Sequence, residues 1–152
     1  MRKKGFTLVE IMIVVAIIAL LAAIAIPNLL RARANANEAA AVSAVKTLAT
    51  AAISFRSVNN AYPSNIIALG PGNATPSYID AILGCDTTEC LKQGYSFSLT
   101  GGTNTFSAIA LPAGPGTTGS RSFFVDETGV IKFCTASGGS ACTPTVDSST
   151  LE

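Results

Sequence analysis

The stretch that decides the fold of this chain is FTLVEIMIVVAIIALLAAIAIPNLL, residues 6–30. Its centre, residues 11–26, is an unbroken apolar run. Over the whole of residues 6–30, only Thr7, Glu10, Pro27 and Asn28 interrupt the apolar character. As one helix with a rise of about 1.5 Å per residue, the stretch reaches roughly 37 Å. Because the hydrocarbon core of a bilayer is about 30 Å thick, we predict a membrane-spanning helix.

The residues before the apolar stretch carry a cluster of positive charge. Arg2, Lys3 and Lys4 contribute three of the ten basic residues in the sequence. Basic residues are enriched on the cytoplasmic side of membrane helices. The cluster therefore predicts that the amino terminus faces the cytoplasm and that the rest of the chain lies on the other side of the membrane.

An ordinary secretory signal is the competing interpretation of this amino terminus. Such a signal has an apolar core of about 7–15 residues and is cleaved after a small-x-small site. Ala23-Ile24-Ala25 fits that site. The greater length of the apolar run argues against it, and so does Glu10. A carboxylate inside a membrane helix costs about 2.5–3.5 kcal/mol and is usually functional.

The composition excludes several classes of function. Charged residues make up 12% of the chain, hydrophobic residues make up 49%, and histidine is absent. Without histidine the chain cannot build a Ser-His-Asp triad, a Cys-His nucleophile or a His-ligated metal site. The net charge of +1 indicates no clear nucleic-acid site. We therefore expect a protein that is not an enzyme, with no catalytic residues, no cofactor and no bound metal.

A family resemblance is carried by the junction between the basic cluster and the apolar stretch. The sequence KKGFTLVE, residues 3–10, followed directly by the apolar run, resembles the prepilin motif of type IV pilins and of type II secretion pseudopilins. The resemblance implies that a membrane peptidase cleaves between Gly5 and Phe6 and that the new amine of Phe6 is N-methylated. It also implies that Glu10 pairs with the Phe6 amine of a neighbouring subunit during assembly.

The resemblance further implies a location and a set of partners. The chain is expected to lose residues 1–5 as a leader and to cross the bacterial inner membrane once. It is then expected to assemble with copies of itself into an extracellular helical filament, or pilus. Its other partners are the prepilin peptidase and methylase and the pilus or secretion assembly machinery. A minor pilin and a type II secretion pseudopilin are alternatives, and a secreted binding domain with an ordinary signal is a third interpretation.

The helical pattern continues beyond residues 6–30 into a second half, residues 31–60. Pro27 predicts a kink, and in the pilin family this region can also melt in the assembled fibre. Apolar residues recur at helical spacing on one side, with Ser and Thr on the other. The predicted core face consists of Val42, Val45, Leu48, Ala49, Ala52, Ile53 and Phe55. The predicted polar face consists of Ser43, Thr47, Thr50, Ser54 and Ser57.

The charged residues of this second half are few. Glu38, Lys46 and Arg56 are widely spaced, and we interpret them as solitary charges. Asn59-Asn60 predicts the end of the helix, because asparagine is common just after a last helical turn. The sequence therefore predicts one long helix with a membrane-spanning first half and an amphipathic second half.

The remaining residues, 61–152, predict a small globular head. Residues 62–94 are rich in proline and glycine and are interpreted as loops. Beyond them, apolar and polar residues alternate in short segments that predict strands at residues 95–99, 106–111, 121–125 and 130–133. We expect an α+β fold in which an antiparallel sheet of about four strands packs over the long helix.

Four cysteines lie in this head. An even number in an exported domain favours disulfides, although three pairings of four cysteines exist. We favour Cys85 with Cys90 and Cys134 with Cys142, because each pair brackets a polar, loop-like segment. The second pair also resembles the disulfide-bounded loop near the carboxyl end of many type IV pilins. A zinc cluster is the competing interpretation, with spacings that fit zinc less well.

Two weaker signals concern surface sites. Asp126, Glu127 and Asp147 allow a calcium site near the carboxyl end, although we favour a solvated turn and a polar tail as their interpretation. Arg31 and Arg33 follow the apolar stretch and allow contact with lipid phosphates. The alternative interpretation of these arginines is that they are ordinary surface charges.

Overall fold

The computed structural model describes residues 6–136, 141–144 and 149–151. The chain divides into two compact units, Met1–Arg33 and Ala34–Glu152. One helix, α1 (Leu8–Asn59), contributes residues to both units. Gly5, the residue expected to precede the cleavage site, lies outside the described residues.

The first unit consists of the apolar half of α1. Its large hydrophobic side chains are exposed, for example Leu20 at 67% and Leu29 at 69%. By length and composition α1 could cross a membrane, and its most apolar window buries none of its residues within the protein. Helical structure continues through Pro27. An all-round apolar helix needs lipid or other helices around it, because water is a poor solvent for every face.

The second unit begins with the amphipathic half of α1, whose inner face is rich in alanine. The predicted core residues Val45, Leu48, Ala49 and Ala52 are buried, and Val42 and Phe55 are partly buried against the same core. Further buried positions of this face, which the sequence analysis left out, are Glu38, Ala41, Ala44 and Ala51.

The prediction for Ile53 is wrong. Its side chain is 50% exposed, because one residue beyond Ala52 is a rotation of about 100° around the helix axis. Ala52 lies at the centre of the buried face, and that rotation carries Ile53 towards its solvent-facing edge. The buried face is therefore narrower and poorer in large side chains than the sequence suggests.

The hydroxyl-bearing residues occupy the solvent side of this half, as predicted. The hydroxyls of Thr47 and Thr50 donate to the carbonyl oxygens of Ser43 and Lys46 at 3.0 Å, one turn earlier. The helix ends at Asn59. Asn60 adopts a left-handed φ of 56° and donates its N–H to a carbonyl of the last turn, which is a common way to end a helix.

The head carries one antiparallel sheet with the strand order β1-β2-β3-β4-β5-β6. The strands are β1 (Glu89–Lys92), β2 (Tyr95–Gly101), β3 (Phe106–Pro112), β4 (Arg121–Asp126), β5 (Ile131–Thr135) and β6 (Ser149–Thr150). Each strand pairs with the next one along the chain. A short 3-10 helix, Ile66–Leu69, precedes the sheet.

The sheet has six strands, whereas the sequence predicted about four. Strand β1 falls in the segment predicted as loop, because its four residues show no clear alternation of apolar and polar side chains. A two-residue turn, Gln93-Gly94, joins it to β2, and both turn residues have positive φ. Strand β6 has only two residues and carries no apolar pattern. The other four strands lie where they were predicted.

The inner face of the sheet packs against the second half of α1. Along β2 the buried residues are Tyr95, Phe97 and Leu99, and intermediate exposure alternates with burial. Strand β3 shows the same alternation, while β4 is buried along almost its whole length. These side chains form one core with the alanines and leucines of the helix. The predicted α+β fold, a long helix under an antiparallel sheet, is confirmed.

Two disulfides cross-link segments of the head. Cys85 is bonded to Cys90 with a Cα–Cα distance of 5.7 Å, and Cys134 is bonded to Cys142 with a Cα–Cα distance of 6.2 Å. The four cysteines are all oxidised in this structure. They therefore leave no thiolate for the zinc cluster that the sequence allowed.

Candidate assembly site

The amino-terminal end of α1 holds the residues to which the sequence assigns maturation and assembly. Phe6 precedes the helix, and its side chain is 80% exposed. Glu10 lies on the first turn and is also exposed. Phe6, the residue after the expected cleavage site, therefore lies just before the helix and outside any folded core. This placement leaves Phe6 accessible to another molecule.

Glu10 takes part in a reciprocal cap at this helix end. The Thr7 side chain accepts a hydrogen bond from the Glu10 N–H at 3.3 Å. In return, Glu10 Oε2 accepts from the Thr7 N–H and from the Thr7 hydroxyl, both at 3.3 Å. This is a capping box, which satisfies backbone donors that a helix start otherwise leaves unpaired.

The capping box adds a function for Glu10 that the sequence analysis missed. The signal was present, because Thr7-x-x-Glu10 before an apolar run is the sequence signature of this cap. The cap holds the carboxylate within one turn of Phe6 and near the positive end of the helix dipole. An ionised carboxylate offers about four acceptor positions, so Glu10 retains capacity for a further donor such as an amine.

A second carboxylate, Glu38, anchors α1 to the head. Its side chain is only 5% exposed. Its Oε1 atom accepts hydrogen bonds from the Ser120 N–H at 2.7 Å and from the Ser120 hydroxyl at 2.9 Å. The other oxygen, Oε2, accepts from the Arg121 Nε–H at 2.7 Å. The prediction that Glu38 is a solitary charge is therefore wrong.

The electrostatics of Glu38 favour the ionised form. Burial by itself raises the pKa of Glu38, but the hydrogen bonds from Ser120 and Arg121 outweigh burial and hold that pKa below its usual range. Sequence reasoning missed this contact because Ser120 and Arg121 lie more than eighty residues further along the chain. The ion pair between Glu38 and Arg121 joins α1 to the start of β4.

The loop before β4, residues 113–120, docks on the helix around the same point. Asn37 donates from its side-chain amide to the Thr118 carbonyl at 3.0 Å. The Tyr95 hydroxyl donates to the Arg121 carbonyl at 2.8 Å. Gly119 leaves room for that hydroxyl, because a Cβ there would lie 2.0 Å from it. Polar contacts therefore hold this loop against the part of α1 around Asn37 and Glu38.

The residues considered for calcium do not form a cluster in the described part of the chain. Asp126 accepts hydrogen bonds from the backbone and hydroxyl of Thr128, and its carboxylate lies 3.7 Å from Lys132 Nζ. Glu127 is exposed, and Asp147 lies outside the described residues. Among the described residues there is no group of three or more potential metal ligands.

Comparison with known proteins relates these features to a family. A sequence profile described as the prokaryotic N-terminal methylation motif matches residues 1–26. The "Type IV wide pilus major component PilA4" of Thermus thermophilus is 40% identical over 112 residues, which cover 69% of this chain and 80% of that protein. The "Type IV major pilin protein PilA" of Myxococcus xanthus is 47% identical over 72 residues, which cover 46% of this chain and 33% of that protein.

A secretion component is also similar. The "Type II secretion system core protein G" of Pectobacterium carotovorum is 41% identical over 63 residues, 41% of this chain and 40% of that protein. These relatives are named as pilus or secretion components, which supports a structural rather than an enzymatic family. The match to the Thermus protein extends well beyond the methylation motif and through most of that protein. The chain belongs to the type IV pilin family, to which the type II secretion pseudopilins are related.

Proposed function

We propose that this protein is the structural subunit of an extracellular type IV pilus-like filament. The observation that carries the proposal is the exposed apolar half of α1, where large side chains such as Ile18 and Leu21 are 59% and 61% exposed. That surface is stable only in lipid or among helices of the same kind. A subunit stored in a membrane and later packed helix against helix satisfies both conditions.

Maturation follows from the matched motif. A prepilin peptidase cleaves between Gly5 and Phe6 and thereby removes the leader, residues 1–5, and its basic cluster. A methylase then modifies the new Phe6 amine. The positive amine would stand near the positive end of the helix dipole, an unfavourable position that the Glu10 carboxylate offsets. In the filament, Glu10 of one subunit pairs with the Phe6 amine of a neighbour and sets the register between helices.

The topology of the stored subunit follows from the positive-inside rule. The basic residues of the leader hold the amino terminus in the cytoplasm, and residues 6–30 cross the inner membrane once. The amphipathic second half and the head, residues 31–60 and 61–152, lie on the outer side. Pro27 is the position at which the helix bends or loosens when the subunit leaves the bilayer. The chain itself has no catalytic role. Separate processing enzymes cleave and methylate it, and separate machinery assembles the filament.

A pseudopilin of a type II secretion system is the second candidate. It is favoured by the identity to the core protein G of Pectobacterium, which spans 63 residues. The similarity to the Thermus wide-pilus component spans 112 residues and reaches into the head. The longer match, which extends past the helix, favours the pilus.

Deletion of the gene separates the two candidates. We expect surface filaments to disappear in the deletion strain and to return when the gene is supplied again. A subunit-specific antibody should label those filaments along their length in electron micrographs. Unchanged, unlabelled pili together with a loss of protein secretion would contradict the pilus proposal and would support the pseudopilin.

A further inference from the structure

Two arginines mark the point at which the apolar half of α1 ends. Arg31 and Arg33 follow directly after Leu30, and both belong to the unit Met1–Arg33. Both side chains are exposed, and no other residue from 27 to 37 is charged. In the part of the chain that the structure describes, neither arginine has a carboxylate within ion-pair distance. The next acidic residue along the helix, Glu38, is already bound by residues of the head.

The two arginines lie at nearly the same height on the helix but on different sides of it. Two residues along an α-helix correspond to a rise of about 3 Å and a rotation of about 200°. A protein packed against one side of α1 would therefore reach only one of the two guanidinium groups. Lipid headgroups surround a membrane helix on every side and can reach both. The arrangement favours a membrane surface over a protein as the partner.

The spacing of charges along α1 matches the thickness of a bilayer. The part of the helix between Glu10 and Arg31 has no charged residue and spans about 32 Å at about 1.5 Å per residue. The hydrocarbon core of a bilayer is about 30 Å thick. When Glu10 lies at one surface of the membrane, Arg31 and Arg33 therefore reach the headgroups at the other surface. A deeper position would bring both charges into hydrocarbon, which is costly.

The chemistry of arginine suits a lipid phosphate. The planar guanidinium group donates two parallel hydrogen bonds to one phosphate, and its long apolar stem can lie along the hydrocarbon boundary. The positive-inside rule still places this end of the helix on the outer side. The leader supplies three basic residues, Arg2, Lys3 and Lys4, against the two arginines that follow the apolar stretch.

We propose that Arg31 and Arg33 bind the phosphate groups of phospholipids at the outer surface of the inner membrane. The proposal rests on the proposed function, because it names the lipid partner of the subunit before assembly. A subunit that leaves the bilayer for a filament must then give up these lipids.

Native mass spectrometry of the processed chain, purified from the membrane fraction in detergent micelles, tests this contact with phosphatidylglycerol as the probe. We expect the wild-type chain to retain the lipid. The double variant, Arg31→Gln with Arg33→Gln, should lower the retained fraction by about tenfold, because both guanidinium groups are lost. Lys46→Gln is the matched control and should leave that fraction unchanged, since Lys46 is also an exposed cation on α1 but lies in the other unit.

Circular dichroism and urea unfolding check the fold of the double variant, and both should match the wild type because the substituted side chains are exposed. If the double variant does not fold, the two single variants replace it, and each should lower the retained fraction by about threefold. Equal lipid retention by folded variants and wild type would overturn the proposal. An equal loss in Lys46→Gln would also overturn it, as would displacement of the lipid by millimolar inorganic phosphate.

The lipid measurement is independent of filament formation, so the two proposals can fail separately. If the arginine variants lose the lipid but deletion of the gene leaves surface filaments unchanged, the lipid contact stands and the pilus function does not. If filaments disappear on deletion but the arginine variants retain the lipid, the pilus function stands and the lipid contact does not.

Discussion

Two carboxylates on α1, Glu10 and Glu38, differ in what they stabilise. Glu10 is exposed and caps its own helix through Thr7, whereas Glu38 is buried and ties the helix to Ser120 and Arg121. Losing a helix cap costs about 1 kcal/mol. Removing one partner of a buried, hydrogen-bonded charge pair costs about 3–5 kcal/mol, and less where the other partner keeps contact with water. Substitutions of Glu10 and of Glu38 are therefore expected to have different effects.

Replacement of Glu10 should prevent assembly without unfolding the subunit. We expect Glu10→Val to be cleaved and held in the membrane but to be lost from surface filaments, because this substitution removes the carboxylate that we propose as the partner of the Phe6 amine. Thr7→Ala is the matched control, since it removes the cap but keeps the carboxylate. Immunoblots of membrane and sheared-filament fractions measure both variants. Normal filaments from Glu10→Val would show that the pairing role is wrong.

Replacement of Glu38 should destabilise the head. We expect Glu38→Ala to lower the free energy of unfolding by about 2–3 kcal/mol, since Ser120 and Arg121 lose their shared acceptor and Arg121 is partly exposed. Urea unfolding of the full-length chain in detergent micelles measures the change. Glu127→Gln, on the exposed turn, should change the value by less than about 0.5 kcal/mol. Equal effects of the two substitutions would contradict the anchoring role.

The same contact predicts the pH dependence of stability. The pKa of Glu38 in the folded protein lies below its ordinary value of 4.5. The unfolded chain therefore binds the proton first as the pH falls. The stabilisation by Glu38 is complete above the ordinary pKa and is lost as the pH falls through the lower, folded-state pKa. Unfolding free energies measured from about pH 7 down to about pH 3 should fall less steeply for Glu38→Gln than for the wild type. Identical slopes would exclude this contribution.

At the scale of elements, the strongly periodic segments were predictable. Strands β2 and β3 alternate buried and half-buried residues along their length, and the corresponding pattern is visible in the sequence. Strand β1 was not predictable, because it is held by pairing with β2 through the Gln93-Gly94 turn rather than by its own composition. The Glu38 contact was hidden for a related reason. Its partners, Ser120 and Arg121, lie more than eighty residues further along the chain and meet Glu38 only in the folded structure.

The disulfide pairing is a prediction at the same scale. We expect intact mass to rise by four hydrogens on reduction, and peptide mapping to join Cys85 with Cys90 and Cys134 with Cys142. Replacing both Cys85 and Cys90 by serine should lower the free energy of unfolding by about 2 kcal/mol, since the cross-link restrains the unfolded chain. Exposed Ser57→Ala is the control. Peptides that join Cys85 to Cys134 would contradict the pairing.

At the scale of the whole molecule, the two units differ in the surroundings that stabilise them. The unit Ala34–Glu152 buries its own apolar core, with residues such as Leu48 and Phe97 almost fully enclosed. In the unit Met1–Arg33, the described residues 6–33 enclose no comparable core, and their large apolar side chains are exposed. The fold class and the membrane stretch were readable from the sequence because both depend on local pattern. The contacts between subunits lie outside one chain and leave no local pattern in its sequence.

The central claim is that residues 6–30 are kept and used as the assembly helix. Mass spectrometry of the subunit from purified surface filaments tests this claim most directly, because the mature amino terminus distinguishes the two modes of processing. We expect a chain that begins at Phe6 with a methylated amine and includes the whole apolar stretch. A mature chain that begins at Ile26 would show cleavage as an ordinary secretory signal, and it would contradict the account.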